Sequence, residues 1–525
     1  MTAAPQGNPD EQPVYEQIST GYRIFLTIII MVGAFMAILD TTIVDVVIPK
    51  MMGPLSTDLY GVQWVITAYM TSAAIGLLLT HSLSKVIGLK NVFIVGMLVF
   101  TTASVLCGIS NSLSTMVGAR IIQGMGEAFI MASAQTMLFA IYPPQKHGLA
   151  MGIYAMGVSF APSLGPTVGG WITEHLTWRW VFYINLPTGI LNLVAAAAFL
   201  PIMVRHRQKL HFNFVSYFFI AGFTASLLIL LSKGQQLGWR QSNIIVILGA
   251  LAAISFILYV LSEMFSKHPL IDLTLFKNRQ YSFSIGFYFL VLGLSIYQIF
   301  YLLPLYYETL KKLGTFDTGL HMLAFAIFIA ILSPLAGILS DRYGPKSVLA
   351  FSTTLYLVTS YYLIPSINYY TPSLYAALLT IPLGIALGSF FAPLSAMALG
   401  TLGPQTAQGV SIMHYMRFLG GSLGTALATN TLEMRRAVHY EGIADMQNYG
   451  YVQNFISTTA DKVSGIMTCD AARAHSHIFL GGIQSVQSTS FAFQDTFRHT
   501  AYYGALGSFF LVLLFVEARR QRKIL

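Results

Sequence analysis

The sequence predicts an all-α polytopic membrane protein, and three observations carry that prediction. Only 9% of the 525 residues are charged and 55% are hydrophobic, with a mean hydropathy of +0.66; soluble domains carry about 25% charged residues. Apolar windows long enough to cross a hydrocarbon core of about 30 Å recur along the whole chain. The remaining charge falls mostly in short segments between those windows. The net charge of +9 does not indicate nucleic acid, because the basic residues are scattered and form no face that could follow phosphates.

Taken in order, the chain opens with the polar, Pro-containing segment MTAAPQGNPDEQPVYEQIST, which lacks the basic start and short apolar core of a signal peptide and reads as a tail. Membrane helices are predicted near 24–48, 62–82, 91–108, 113–138, 148–172 and 179–201, then near 213–232 and 243–264. The second half gives 281–306, 317–339, 347–365, 372–396, 405–431 and 500–518, fourteen in all. The layout is a tail over 1–22, a six-helix half over 23–201 and two inserted helices within 202–266. A second six-helix half follows over 267–518, with a long outer segment at 432–499, and a short tail over 519–525 ends the chain.

Lys and Arg set the orientation. Arg23, Lys85, Lys90, Lys146, Arg205, Arg207, Lys209, Lys267, Lys277, Arg279, Arg342, Lys346 and the C-terminal basic run share one side. The short loops of the other side offer Lys50, Arg179, Lys233, Arg240, Lys311 and Lys312. Both termini are therefore expected in the cytoplasm. The chain also repeats: LSKVIGLK at 83–90 aligns with LSDRYGPK at 339–346, an offset of 256 residues, or eight helix-plus-loop units. Repeated halves around a central site are the build of secondary transporters.

Charge inside a span costs about 2.5–3.5 kcal/mol on insertion scales, so it faces protein or a cavity. Asp40, Asp45 and Glu127 are the acids well inside predicted spans, and Arg120 and Arg417 the bases. Asp40 and Arg120 fall at similar depth on the first and fourth helices, which makes a pair between them geometrically reasonable; such a pair could also be static packing. Gln123 and Glu127 share the helical face of Arg120, at three and seven residues beyond it. A desolvated carboxylate near the midplane can carry a proton, so Glu127 is a coupling candidate or else a satisfied structural acid. Asp45 is five residues past Asp40 and points about 140° away from it, so it serves another surface, as a proton-access group or a solvated rim residue.

LDTTIVDVVIP at 39–49, WVITAY at 64–69, RIIQG at 120–124, GPTVGG at 165–170, WRWVFYINLPTG at 178–189, PLIDLTLFKNR at 269–279 and GILSDRYGPK at 337–346 resemble, in order and spacing, motifs of the major facilitator superfamily. The resemblance is to its fourteen-helix drug:proton antiporters of the EmrB/QacA type and runs from about residue 24 to 520. It implies the fold of that superfamily, two six-helix halves plus two inserted helices. It also implies proton-coupled export of hydrophobic or amphipathic compounds across a bacterial inner membrane, with no cofactor beyond the proton gradient. Asp40, Glu127, Asp45 and Arg120 are the expected proton-coupling residues, although the family usually has Asn at the position of Asp45 and a small residue at that of Glu127. Gly165, Pro166, Gly169 and Gly170 match the family's antiporter motif, and Asp341, Arg342 and Gly344 its gating turn; the first copy of that turn carries Lys85 where Asp341 stands. Gln123, Tyr69, Tyr154, Phe160, Tyr297, Tyr301 and His414 are candidates to meet cargo, the aromatic faces by cation–π and apolar contact.

Two matches carry no chemistry. GGSLG at 420–424 fits a nucleophile motif but sits inside an apolar helix rather than a strand-to-helix turn. AHSH at 474–477 lacks supporting ligands, and no metal site is expected. The segment 432–499 reads as helices leaving and re-entering the membrane region. Exporters of the EmrB type work with a periplasmic adaptor and an outer-membrane channel, so it is expected either to dock such partners or to cap the outer mouth. A dedicated exporter of one metabolite, such as a fatty acid or siderophore, is the second reading. A membrane-embedded enzyme or sensor is the third, and no triad, metal cluster or attached soluble domain supports it.

Overall fold

The computed structural model describes residues 13–202, 212–464 and 468–524; the first twelve residues and the basic Arg205, Arg207 and Lys209 lie outside the described residues. The first half comprises α1 (Thr20–Met51), α2 (Trp64–Ile87), α3 (Leu89–Ile109), α4 (Leu113–Ile141), α5 (His147–His175) and α6 (Asn185–Phe199). Two inserted helices follow, α7 (Phe214–Lys233) and α8 (Asn243–Phe265). The second half holds α9 (Arg279–Thr309), α10 (Thr315–Tyr343), α11 (Pro345–Ser366) and α12 (Ser373–Leu399), then α13 (Thr406–Ala444), α14 (Gly450–Val463) and α15 (Cys469–Ile524). Thirteen of the described helical segments are long and apolar enough to cross a membrane. The segment expected at 405–431 lies in α13, which carries His414, Arg417 and an extended polar C-terminal portion and is not among those thirteen.

Local chemistry sets the helix ends. Ser112 and Thr115 form a reciprocal capping box at the start of α4, and Asn213 and Asn278 cap α7 and α9 through their side chains. The repeated turns end alike: Gly88 and Gly344 have φ of +84° and +87°, a region that disfavours side chains. Their N–H groups donate to Ser84 and Ser340, which occupy equivalent places in the two repeats. Within α9, residues Tyr288–Ile296 form a π-helical stretch where the helix meets α13. There a Cβ on Gly293 would stand 2.9 Å from Cα of Gly420, so GGSLG is a helix-crossing motif that lets two backbones touch.

The halves meet along two seams. α5 runs against α10 along its length, and α2 packs on α13. The inserted helix α7 covers the second seam, bonded to the first half through Thr67–Ser232 (2.8 Å) and Lys233 Nζ–Tyr60 O (2.8 Å), and to α13 through Thr224–Tyr415 (2.7 Å). One end of the bundle, here called basal, gathers the start of α1, the ends of α4, α6 and α10, and the start of α5. Tyr22–Phe199, Thr27–Tyr142 and Asp341–Gly148 contacts join them. At the opposite, apical end α13 continues past residue 431 and pairs with the early part of α15, a helix of 56 residues. Asp495 fastens that pairing, accepting from Arg435 Nε (2.7 Å) and His439 Nε2 (2.8 Å), with Arg498 at 3.6 Å.

Candidate functional site

The helix α1 runs unbroken through LDTTIVDVVIP. This continuity places Asp40 in the interior, 1% exposed, against α4 and α6. Arg120 Nη1 donates to Asp40 Oδ2 at 2.7 Å, and neither side chain is exposed. The same nitrogen reaches Gln123 Oε1 (2.7 Å), while Arg120 Nε donates to the Val65 carbonyl (3.2 Å). Asp40 Oδ1 accepts from Gln123 Nε2 (3.0 Å) and Asn185 Nδ2 (2.5 Å), and Ser104 Oγ accepts from Gln123 (2.8 Å). The Tyr69 ring lies 3.8 Å from the Arg120 guanidinium carbon, a cation–π contact from beneath. Five helices and the short Trp180–Tyr183 turn thus converge on one ion pair, with Phe182 5.9 Å from the guanidinium. Arg120 Nη2 is left buried without a partner.

Sequence reasoning singled out Asp40, Arg120 and Gln123, and the structure brings them together. It did not single out Asn185 and Ser104. Asn185 was visible as the polar residue of WRWVFYINLPTG, but nothing in that motif tells which helix it faces. Tyr69, expected to meet cargo, is fully buried beneath Arg120 instead.

A second polar group lies between the halves. Glu127, 3% exposed, lies two turns from Arg120 on the same face of α4, and its Oε2 is buried without a hydrogen-bond partner. Across from it, Arg417 of α13 is 6% exposed and has no carboxylate within ion-pair distance among the described residues. His414, one turn earlier, shares a 3.2 Å hydrogen bond with Tyr154 of α5, and its Nδ1 is unpartnered. Tyr154 also stacks on Phe391 of α12 at 5.8 Å, and Phe391 meets Tyr288 of α9 edge-on at 6.1 Å. This layer joins both halves basal to Glu127. Tyr154 and His414, expected to meet cargo, are therefore closed within the seal in this conformation. Tyr297, Tyr301 and Phe160 are half-buried, with Tyr297 against Gly421. Asp45 is exposed on α1, five residues beyond Asp40.

Below that layer the basal ends lock. Asp341 Oδ1 and Oδ2 accept the N–H groups of Gly148 (2.7 Å) and Leu149 (2.9 Å), so the acid of one half caps a helix start of the other. A Cβ on Gly337 would lie 2.7 Å from the Gly148 carbonyl carbon, which explains two glycines facing each other. Arg342 is exposed and stacks its guanidinium on Tyr343 at 5.3 Å. At the first-half turn Lys85 replaces the acid, and the nearby carboxylate comes from Asp272 of PLIDLTLFKNR. Hydrogen bonds from Thr274 hold the Asp272 carboxyl below the usual range, Lys85 adds to this, and Asp272 Oδ2 accepts from Gln405 at 2.7 Å. Apically, GPTVGG packs closely: Gly165 faces Thr42 of α1, and Gly170 faces Phe316 of α10, where a Cβ would come within 3.1 Å. Pro166 and Pro162 both lie inside α5 and remove backbone donors there, and Gly169 is buried beside them.

Comparison with known proteins decides what such a bundle is. The sequence profile described as Major Facilitator Superfamily matches residues 30–425. The chain belongs to the major facilitator superfamily. Among its relatives is the multidrug export protein EmrB of Haemophilus influenzae, 30% identical over 438 residues, 83% of this chain and 85% of that protein. The fatty acid resistance protein FarB of Neisseria gonorrhoeae is 32% identical over 437 residues, 80% of this chain and 83% of that protein. The crystal structure of the human organic anion transporter MFSD10 shares the fold, with a TM-score of 0.60 at 12% identity, over 94% of this chain and all of that one. As a member of the superfamily, this protein is a transporter rather than an enzyme, a multi-pass protein of the bacterial inner membrane.

Proposed function

We propose that this superfamily member is a proton-coupled antiporter that exports hydrophobic and amphipathic compounds by alternating access. The observation that carries the reading is Glu127: a buried carboxylate without an ion-pair partner, on the face of α4 that also holds the engaged Asp40–Arg120 pair. An unpaired carboxylate in a dry interior favours the protonated form, whereas a paired one favours the charged form. The two acids thus give a site that loads a proton and a site that senses it. Asp45, exposed apical to both, serves as their access group.

With the basal end as the cytoplasmic end, protons arriving from outside load Glu127 and Asp40 and weaken the grip of Asp40 on Arg120. The basal lock at Asp341 then opens, cargo binds among Tyr297, Tyr301, Phe160 and the released Tyr154, and proton departure accompanies its capture. Movement of one charge down the potential supplies about 2.3 kcal/mol per 100 mV, enough for a roughly fifty-fold gradient. Two similar halves with two inserted helices, fourteen spans and cytoplasmic termini complete the scheme. The paired outer helices of 432–499 expose Tyr440, Tyr449, Tyr451 and Phe479 and offer a docking face to a periplasmic adaptor and outer-membrane channel. Co-purification with an adaptor that survives replacement of all four aromatics by Ser would contradict that part.

The test is cargo-driven proton movement in proteoliposomes with Asp40→Asn, Asp45→Asn and Glu127→Gln. The reading expects loss in the first and third; transport that stays fully dependent on the pH gradient in all three overturns it. A second reading, export of one anionic metabolite, is favoured by two features: Arg417 is a buried base without a carboxylate partner among the described residues, and a fatty acid resistance protein is among the relatives. Competition of a fatty acid with ethidium in the same liposomes separates the two.

A further inference from the structure

We propose that Arg417 is the residue through which the second half reads the proton on Glu127. This rests on the reading of Glu127 as a proton carrier and adds the partner that carries its charge state across the halves. Both side chains are buried, neither has an ion-pair partner among the described residues, and they belong to helices that pack on each other, α4 and α13. Arg417 is near enough to Glu127 for its charge to be felt there, as are Asp40 and Arg120. Around Arg417 stand the hydroxyls of Tyr297, Tyr288 and Tyr154, with the Glu127 carboxylate beyond them.

The depths agree. Glu127 lies 14 residues from the basal end of α4 and Arg417 lies 11 residues from the basal start of α13, so they differ by about 5 Å along the axis at 1.5 Å per residue. Immediately basal to them sits the Tyr154–His414–Phe391 layer that closes the halves. Opposite charges in a low-dielectric interior attract more strongly than in water. With Glu127 ionised, that attraction draws α4 toward α13 and keeps the layer shut. Protonation removes it, leaves Arg417 to the neutral hydroxyls, and frees the basal ends to part. The groups that face the pair from the surrounding elements are Tyr69 on α2, Asp40 on α1, Arg120 on α4, Tyr154 on α5, Tyr288 and Tyr297 on α9, and His414 on α13 itself. Of these, Asp40 and Arg120 already engage each other, so they respond less to the proton on Glu127 than Arg417 does.

The experiment reads the basal gate directly, without cargo. Spin labels at Gln145→Cys and Ser347→Cys, one in each half and both exposed, report the basal separation in lipid nanodiscs with Cys107 and Cys469 replaced by Ser. In the otherwise unchanged protein, acidification shifts the distance distribution toward the longer, open population. Glu127→Gln and Arg417→Gln each give the open population at both pH values, the double variant does no more than either, and Arg417→Lys keeps the response. Should Arg417→Gln not yield monodisperse protein, the exchange Glu127→Arg with Arg417→Glu, which restores the attraction in reverse, is expected to close the gate at neutral pH. A pH response that persists in Arg417→Gln while Glu127→Gln abolishes it overturns the proposal, as does an exchange variant that stays open. Proton-coupled transport in liposomes with a pH-insensitive basal gate sinks this inference and leaves the antiport reading standing.

Discussion

Asp40 receives hydrogen bonds from Arg120, Gln123 and Asn185, which come from two helices, and every one of them ends on a carboxylate oxygen. Removing the charge is therefore not equivalent to removing one bond. Asp40→Asn leaves Arg120 buried and uncompensated, a change of about 3–5 kcal/mol for broken buried pairs. Asn185→Ala loses one bond to a charged group, about 1.5–3 kcal/mol, together with a longer contact to Ser104 Oγ (3.4 Å). Thermal unfolding in detergent should rank Asp40→Asn as the more destabilised, with Arg120→Gln added to it recovering part of the loss; equal shifts for Asp40→Asn and Asn185→Ala would show that the ion pair carries no special weight. Tyr69→Phe keeps the ring under Arg120 but loses the hydroxyl's bonds to Ala37 O and Thr41, so it should cost less than Tyr69→Leu, which loses the ring as well. The sequence disclosed the ionisable members of this site because charge inside an apolar span is rare and expensive. It did not disclose Asn185 or Ser104, since neutral polar residues recur in many of these helices and only the packing selects the two that face Asp40.

At the scale of helices, the basal lock depends on backbones that touch. Gly337→Val cannot fit against Gly148, so it should hold the basal ends apart and lengthen the distance between spin labels at Gln145→Cys and Ser347→Cys, while Gly118→Val, with open space around it, should not. An unchanged distance in Gly337→Val would mean that the contact does not close the gate. Asp341→Asn weakens two charge-assisted bonds to the start of α5 and should act in the same direction, more mildly. The other turn uses Asp272, whose folded carboxyl is held below the ordinary aspartate range chiefly by Thr274. Its stabilising contribution is complete above that ordinary value and is lost as pH falls through the lower folded value, so Asp272→Asn should lower the unfolding temperature at neutral pH and make little difference in strong acid. The helices themselves were legible in the sequence: each of the fourteen predicted segments falls on a helix, within a few residues at most ends. The length of α13 and α15 was not, because their polar outer portions lack the apolar signal and are held by contacts such as Arg435–Asp495, 60 residues apart in sequence.

For the molecule as a whole, the internal repeat foreshadowed the architecture. LSKVIGLK and LSDRYGPK end their helices with the same left-handed glycine and the same serine acceptor, so the two halves were built on one plan. The departure at Lys85 marks where the plan divides: one seam is latched by Asp341 directly, the other draws its acid from the segment before α9 and is covered by the inserted α7. Alternating access then turns on whether the buried acids between these seams exchange protons when cargo binds. The direct measurement is proton release by the purified protein in weakly buffered detergent solution on addition of ethidium. The account predicts release from the unchanged protein that falls sharply in Glu127→Gln and vanishes when Asp40→Asn is added. No release from the unchanged protein, despite demonstrated ethidium binding, or undiminished release from the double variant, would contradict it.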